Sequence, residues 1–228
     1  MGCHDDYRQW PFLNQEEFEL ACAFFDQKYV RAKLGPTRKI FKIRSRRVAT
    51  TGNSYIEILR LLQPPDDADD LSRALEMLGG GSGGLGGGNR EKNDVEMMID
   101  TADEDTDQPY VTYEIHLHPT YSMPTLWFTL HDLPMGEPTF DLDSVYRYLV
   151  PPEFKSKLRA AGITGGVSAA PHPITDVPAF FIHPCQTKEA MENFECPMEE
   201  YLMVWIGLVG GCVGLWVPPE MVQEENIS

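Results

Sequence analysis

The chain has 228 residues, with 19 Lys and Arg against 35 Asp and Glu, a formal net charge of −16 at pH 7. That length supports one well-packed core with decoration, and the negative balance excludes a surface built for nucleic acid or for an anionic membrane. The cysteines (Cys3, Cys22, Cys185, Cys196, Cys212) are an odd, scattered set. The opening Met-Gly-Cys-His-Asp-Asp lacks the basic and apolar regions of a secretory signal. Asp6 stands where N-myristoylation wants Ser or Thr. A reducing cytoplasm with reduced thiols is therefore expected.

Asn14 predicts an N-cap for a helix whose apolar positions Phe18, Ala21, Cys22, Phe25 and Tyr29 recur at helical spacing, closed by Gly35-Pro36. Residues 39–48 alternate, with Ile40, Lys42, Arg44 and Arg46 on one face and Phe41, Ile43 and Val48 on the other. Gly52-Asn53-Ser54 is a turn, and residues 55–62 resume as a strand, which makes a hairpin. Arg31, Lys33, Arg38, Lys39, Lys42, Arg44, Arg46 and Arg47 form a basic run through it. A solvated strand face accounts for the run, and a dock for an acidic partner is the sharper alternative.

After Pro64-Pro65 the composition changes, and residues 66–78 read as a short acidic helix. Residues 79–88 hold eight glycines and residues 91–107 eight acidic side chains. Such a segment cannot bury enough apolar surface to offset its ordering entropy, so residues 64–108 are expected to be a disordered Gly-rich, acidic insertion in a single domain spanning 1–228.

From Tyr110, the residues Val111, Tyr113, Ile115 and Leu117 alternate with Thr112, Glu114, His116 and His118 as in a half-buried strand. His116 and His118 read as surface histidines. Residues 119–124 turn the chain, 125–131 form a more continuously apolar strand, and 141–150 are helix-like. Residues 162–173 read as loop and 179–183 as a strand. Residues 201–217 are uncharged, at the lower limit for a membrane span. Gly207, Gly210, Gly211 and Gly214 interrupt them and Pro218-Pro219 ends them, so a buried helix over 199–209 followed by turn and coil is expected. The sum is an α+β fold, a four-stranded antiparallel meander with helices packed on one face.

The strand at 179–183 gives way to His183-Pro184-Cys185 and a polar turn. Pro184 fixes φ and withholds a donor, so the strand stops there and holds Cys185 at a sheet edge. Three chemistries compete for that thiol. A zinc site drawing on His183, Cys185 and Cys196 lacks a Cys-x-x-Cys knuckle and a fourth ligand. A cysteine hydrolase needs a base beside the thiol with an orienting third group, and a histidine two residues away across a proline is a poor relay. A thioester carrier needs an exposed cysteine on a rigid edge with few general bases, and this the tripeptide fits.

Here a resemblance becomes specific. Residues 178–191 (Pro-Ala-Phe-Phe-Ile-His-Pro-Cys-Gln-Thr-Lys-Glu-Ala-Met) resemble the active-site segment of the autophagy-related protein 10 family. So do residues 201–218 (Tyr-Leu-Met-Val-Trp-Ile-Gly-Leu-Val-Gly-Gly-Cys-Val-Gly-Leu-Trp-Val-Pro). Residues 113–128 (Tyr-Glu-Ile-His-Leu-His-Pro-Thr-Tyr-Ser-Met-Pro-Thr-Leu-Trp-Phe) are similar to the family's two central strands, with Tyr121 and Pro124 at the matching turn. The sister enzyme, autophagy-related protein 3, shares His-Pro-Cys, but the tail from Trp205 to Pro218 favours protein 10.

The resemblance implies a ubiquitin-conjugating-like fold and enzyme acting in the cytoplasm, with recruitment to the pre-autophagosomal site. Such an enzyme accepts the ubiquitin-like autophagy-related protein 12 as a thioester from the activating enzyme, autophagy-related protein 7. It passes that modifier to a lysine of autophagy-related protein 5, in support of autophagosome formation. Carried over by position, Cys185 is the nucleophile and Tyr121 orients the amine or the carbonyl. His183 is expected to brace the turn. No cofactor, metal, nucleic acid or stable membrane insertion is implied. The alternatives are transfer to a lipid amine, as by the sister enzyme, or a catalytically silent binding module of the same fold. Ordinary ubiquitin-conjugating enzymes carry an asparagine between their His-Pro and the cysteine. Here Cys185 follows Pro184 directly, so Tyr121, Thr187, His172 or loop amides are left to meet the oxyanion. Lys188 is near enough in sequence to favour a thiolate or to be a solvated charge.

Overall fold

The computed structural model describes residues 7–62, 108–194 and 196–222. The expected acidic helix and Gly-rich insertion lie outside them.

The first helix, α1 (Gln15–Arg31), starts at Asn14 with a reciprocal capping box. The Asn14 side chain accepts from the Glu17 N–H at 3.0 Å, and the Glu17 carboxylate accepts from the Asn14 N–H at 2.7 Å. Its five predicted apolar residues are all buried. Arg38, counted in the basic run, closes the other end. Its guanidinium donates to the carbonyls of Tyr29, Val30 and Ala32 and lies 4.5 Å from the Tyr29 ring, so it satisfies helix-end acceptors that have no intrahelical donor. A single turn, α2 (Thr37–Ile40), leads into the sheet.

Six strands form one antiparallel sheet in the order β1-β2-β3-β4-β6-β5, where β1 is Phe41–Arg47, β2 Ser54–Leu61, β3 Tyr110–His118, β4 Met123–His131, β5 Val167–Pro171 and β6 Pro178–Ile182. The four-stranded expectation was two short: the strand read at 179–183 joins the sheet as β6 beside β4, and residues 162–173 hold the other. Instead of a loop, these hold the end of a helix and the edge strand β5. Val167-Ser168-Ala169-Ala170-Pro171 is short, small-residued and without alternation, and its pairing with β6 creates the strand. Pro171 sits at the end of this edge strand, where a missing N–H breaks no ladder.

One sheet face supplies Ile43, Ile56, Ile58, Val111, Tyr113, Ile115, Leu126, Phe128 and Phe180 to the core. It meets Phe18, Cys22 and Phe25 of α1 and Tyr201, Leu202, Trp205 and Ile206 of the apolar helix α6 (Tyr201–Val209). Tyr113 and Tyr201 are fully buried, and each hydroxyl donates to a carbonyl at 2.7 Å, that of Val213 and of Pro11 respectively. Their polar tips are thereby satisfied where burial would otherwise make them costly. No described helix is long and apolar enough to cross a membrane. Helix α3 (Leu142–Tyr148) is capped by Asp141, whose carboxylate accepts from the Ser144 N–H at 3.0 Å. Helix α4 (Pro152–Gly165) opens on a proline at its first position. Lys42, Arg44, Arg46 and Arg47 are exposed along the edge strand β1, with Arg46 paired to Glu57 at 3.1 Å.

Candidate active site around Cys185

Strand β6 delivers the site. It pairs with β4 through Leu126–Ile182 and Trp127–Phe181, which brings its carboxyl end toward the β3–β4 turn where Tyr121 sits. His183 is extended (φ −68°, ψ 130°), as the residue before a proline prefers. Pro184 opens a single 3-10 turn, Pro184–Gln186, that runs on into the short helix α5 (Thr187–Glu192). Because Pro184 has no N–H, the first amide of that turn belongs to Cys185. It donates to Nδ1 of His183 at 3.1 Å. The Thr187 amide donates in turn to the Pro184 carbonyl. The cysteine backbone is thus held on both sides while its side chain is exposed.

Tyr121 belongs to the same site. It is 39 % exposed, and its ring meets the His183 ring edge-on, with centroids 5.4 Å apart and planes at 75°. His118, read from sequence as a surface histidine, packs against Tyr121 at 4.7 Å, and its Nδ1 accepts from the amides of Thr120 and Tyr121. It was missed because alternation along β3 shows a face and not a turn contact. The signal that identifies it is a repeated dipeptide. His118-Pro119, His172-Pro173 and His183-Pro184 are the three His-Pro steps of the chain, and in all three Nδ1 faces the amide two residues on.

Thr187 and Lys188 open α5 directly after the Cys185 turn, while His172 packs with Glu114 and His116. Lys188 lies 3.4 Å from Glu192 and 5.6 Å from the centre of the Phe12 ring, so its charge is shared with those groups. Thr187 is buried at the start of α5. His172 is 94 % buried over the opposite sheet face, its ring 5.4 Å from those of Trp127 and His116. His183, Cys185 and Cys196 do not gather as metal ligands; among the described residues that description fits Glu114, His116 and His172.

That trio is a close polar cluster in which His116 and Glu114 share a hydrogen bond and His172 stands at ion-pair distance. His116 Nε2 lies 2.8 Å and His172 Nε2 3.3 Å from one Glu114 oxygen. Burial would raise the Glu114 pKa, but the two imidazoles outweigh it and hold the carboxyl at about 2. Burial lowers the His116 pKa below the ordinary imidazole value, against the pull of that carboxylate. His172 Nδ1 accepts from the Ile174 and Thr175 amides at 3.4 and 3.5 Å. With Nδ1 accepting, the ring proton sits on Nε2, the nitrogen a metal would need unprotonated, and that N–H is buried without a hydrogen-bond partner of its own.

The thiols separate by burial. Cys22 lies in α1, and burial followed by the nearby Glu19 and Asp26 pushes its pKa far above the ordinary thiol value. Burial pushes Cys212 up to about 11, and its sulfur donates to the Val209 carbonyl. Cys196 is buried, and Cys185 is the exposed thiol among the described cysteines. An exposed thiol on a turn held by backbone hydrogen bonds suits acyl transfer from one carrier to another better than hydrolysis. The histidine two residues back has its Nδ1 engaged by the cysteine amide.

Comparison with known proteins agrees with that chemistry. The family model described as "Autophagocytosis associated protein, active-site domain" matches residues 17–220. A protein of Gibberella zeae named "Ubiquitin-like-conjugating enzyme ATG10" is 44 % identical over 232 residues, covering 94 % of this chain and 98 % of that one.

Proposed function

The chain belongs to the ATG10 family of ubiquitin-like-conjugating enzymes, and from that premise we propose that Cys185 carries autophagy-related protein 12 as a thioester and delivers it to a lysine of autophagy-related protein 5. The observation that carries this reading is the exposed Cys185 thiol on a turn whose amide is captured by His183.

Two acyl transfers make up the reaction. In the first, the Cys185 thiolate attacks the thioester carbonyl on the activating enzyme, autophagy-related protein 7. The activating enzyme's cysteine leaves as thiolate, and the modifier is now bonded to Cys185. In the second, the uncharged ε-amine of the acceptor lysine attacks that carbonyl. The tetrahedral oxyanion collapses, Cys185 leaves as thiolate, and the amine's surplus proton passes to solvent as the isopeptide forms. Donors placed for the oxyanion contribute roughly 3–4 kcal/mol each in such reactions. Tyr121 is the side chain that orients the amine or the carbonyl, because it sits against His183 at the thiol's own turn. His183 keeps that turn in place. The enzyme acts in the cytoplasm and at the site of autophagosome formation.

The purified Cys185 thioester, challenged in parallel with autophagy-related protein 5, phosphatidylethanolamine vesicles and free lysine, tests the acceptor. Discharge to autophagy-related protein 5 as a reduction-resistant conjugate supports the reading. Discharge to the lipid alone would move the protein to the lipid-conjugating branch.

A further inference from the structure

His-Pro is a construction this chain uses three times, and two of its instances make nearly the same hairpin turn. In the β3–β4 turn, the Ser122 amide donates to the His118 carbonyl at 2.9 Å, with Ser122 left-handed at φ 50°. In the β5–β6 turn, the Asp176 amide donates to the His172 carbonyl at 3.0 Å, with Asp176 at φ 59°. In both, the proline after the histidine removes one amide, and Nδ1 takes the next two: Thr120 and Tyr121 at 3.2 and 3.4 Å, Ile174 and Thr175 at 3.4 and 3.5 Å. The third instance, His183, captures the amide of Cys185.

The β3–β4 turn differs from its twin in what it carries. Its captured amide belongs to Tyr121, so His118 holds the main chain of the one tyrosine packed against His183. His118 also holds the side chain, since its ring meets the Tyr121 ring at 4.7 Å and 63°. Tyr121 is therefore clasped between two imidazoles, each of which fixes the backbone of a site residue. The turn is tied down from outside as well, because the Leu13 amide donates to the Ser122 carbonyl at 2.8 Å.

We propose that His118 is a positioning residue for the transfer step, holding Tyr121 in place over the His183–Cys185 turn through the acceptor Nδ1. The proposal rests on the role given to Tyr121 above. It needs a neutral acceptor at the Nδ1 position and no proton transfer by the ring. A side chain that offers an oxygen there substitutes for histidine; one that offers it further out, where Nε2 lies, does not. Asn and Gln make those two alternatives.

The test compares His118→Asn, His118→Gln and His118→Ala in the full-length enzyme, reading the rate of Cys185 loading, the single-turnover discharge to free lysine and the melting temperature. Ala and Gln are expected to slow discharge about five- to tenfold, with loading within about twofold of the parent, and Asn to restore it within about twofold. In a Tyr121→Ala background, His118→Ala should add nothing further. Should the Ala variant fail to fold, the Asn–Gln pair carries the comparison. Equal losses in loading and discharge, an Asn variant no better than Gln, or an undiminished His118 effect without Tyr121 each overturn the proposal. Normal discharge by Tyr121→Ala alone overturns the role of Tyr121 and the proposal with it. Slow discharge by Tyr121→Ala beside normal discharge by His118→Ala and His118→Gln overturns the proposal and leaves Tyr121 standing.

Discussion

The amide of Cys185 donates to Nδ1 of His183 at 3.1 Å. One ring nitrogen of the histidine is thus committed to holding the turn, and the imidazole acts on the cysteine through the backbone. Removing the acceptor leaves an amide to water and loosens the turn, at a cost of about 1 kcal/mol. His183→Ala is expected to slow charging by about fivefold without abolishing it, and His183→Asn, which keeps an acceptor in reach, to stay within about twofold. Charging rates against pH separate this from proton relay, since a relay would make the Asn variant as slow as Ala.

The buried thiols predict a selective labelling pattern. With Cys212 held up to about 11 by burial and Cys22 pushed higher still, both are almost wholly protonated at pH 8, and the thiolate is the species that reacts. Limiting iodoacetamide on the folded protein should alkylate Cys185 well ahead of Cys22 and Cys212 by peptide mapping. Cys22→Ser and Cys212→Ser should charge as the parent does.

Glu114 gives a pH dependence of stability. Its carboxyl titrates at about 2 in the folded chain against an ordinary 4.5, so the unfolded chain binds the proton first as acid is added. The stabilisation is present in full above about pH 4.5 and is lost as pH falls from there toward 2. The group is 21 % exposed, and on the order of 3 kcal/mol is an upper figure. Glu114→Gln should lower the urea midpoint at pH 7 and flatten its decline between pH 4.5 and 3. A parallel decline in parent and variant would reject the cluster as its origin.

Gly214 ends the 3-10 turn after α6 at φ 68°, and a Cβ built there would stand 2.6 Å from the Leu149 carbonyl oxygen. Left-handed strain and that contact together make Gly214→Ala costly by about 2–3 kcal/mol, a drop of roughly 5 °C or more in Tm. Gly211→Ala, three residues earlier, meets nothing within 4 Å and should melt within about 1 °C of the parent.

Much of this architecture was legible because local signals and tertiary packing agree. Asn14 with helically spaced Phe18, Ala21, Cys22, Phe25 and Tyr29 gives α1, and strict alternation from Val111 to Leu117 gives β3. The strand leading to Cys185 was visible from its apolar run and from Pro184. What escaped is what only pairing creates. Val167–Pro171 has no pattern of its own and is a strand because β6 lies beside it, while the glycines from 162 onward hid the end of α4, whose start Pro151-Pro152 could have marked. Within the site, Cys185, His183 and Tyr121 were named from the sequence. His118 was not, since its part depends on a turn closing over its own ring nitrogen. His172 was offered as an oxyanion partner and instead faces Glu114 on the sheet.

The most direct test of the account is a charging reaction of this protein with autophagy-related protein 7, autophagy-related protein 12 and ATP, resolved on a non-reducing gel beside Cys185→Ser and Cys185→Ala. A shifted band that thiol reductant removes from the parent, that survives reductant in the Ser variant as an oxyester, and that is missing from the Ala variant is the predicted result. A reductant-sensitive band of parental strength in Cys185→Ala would place the acyl group on another residue and contradict the account.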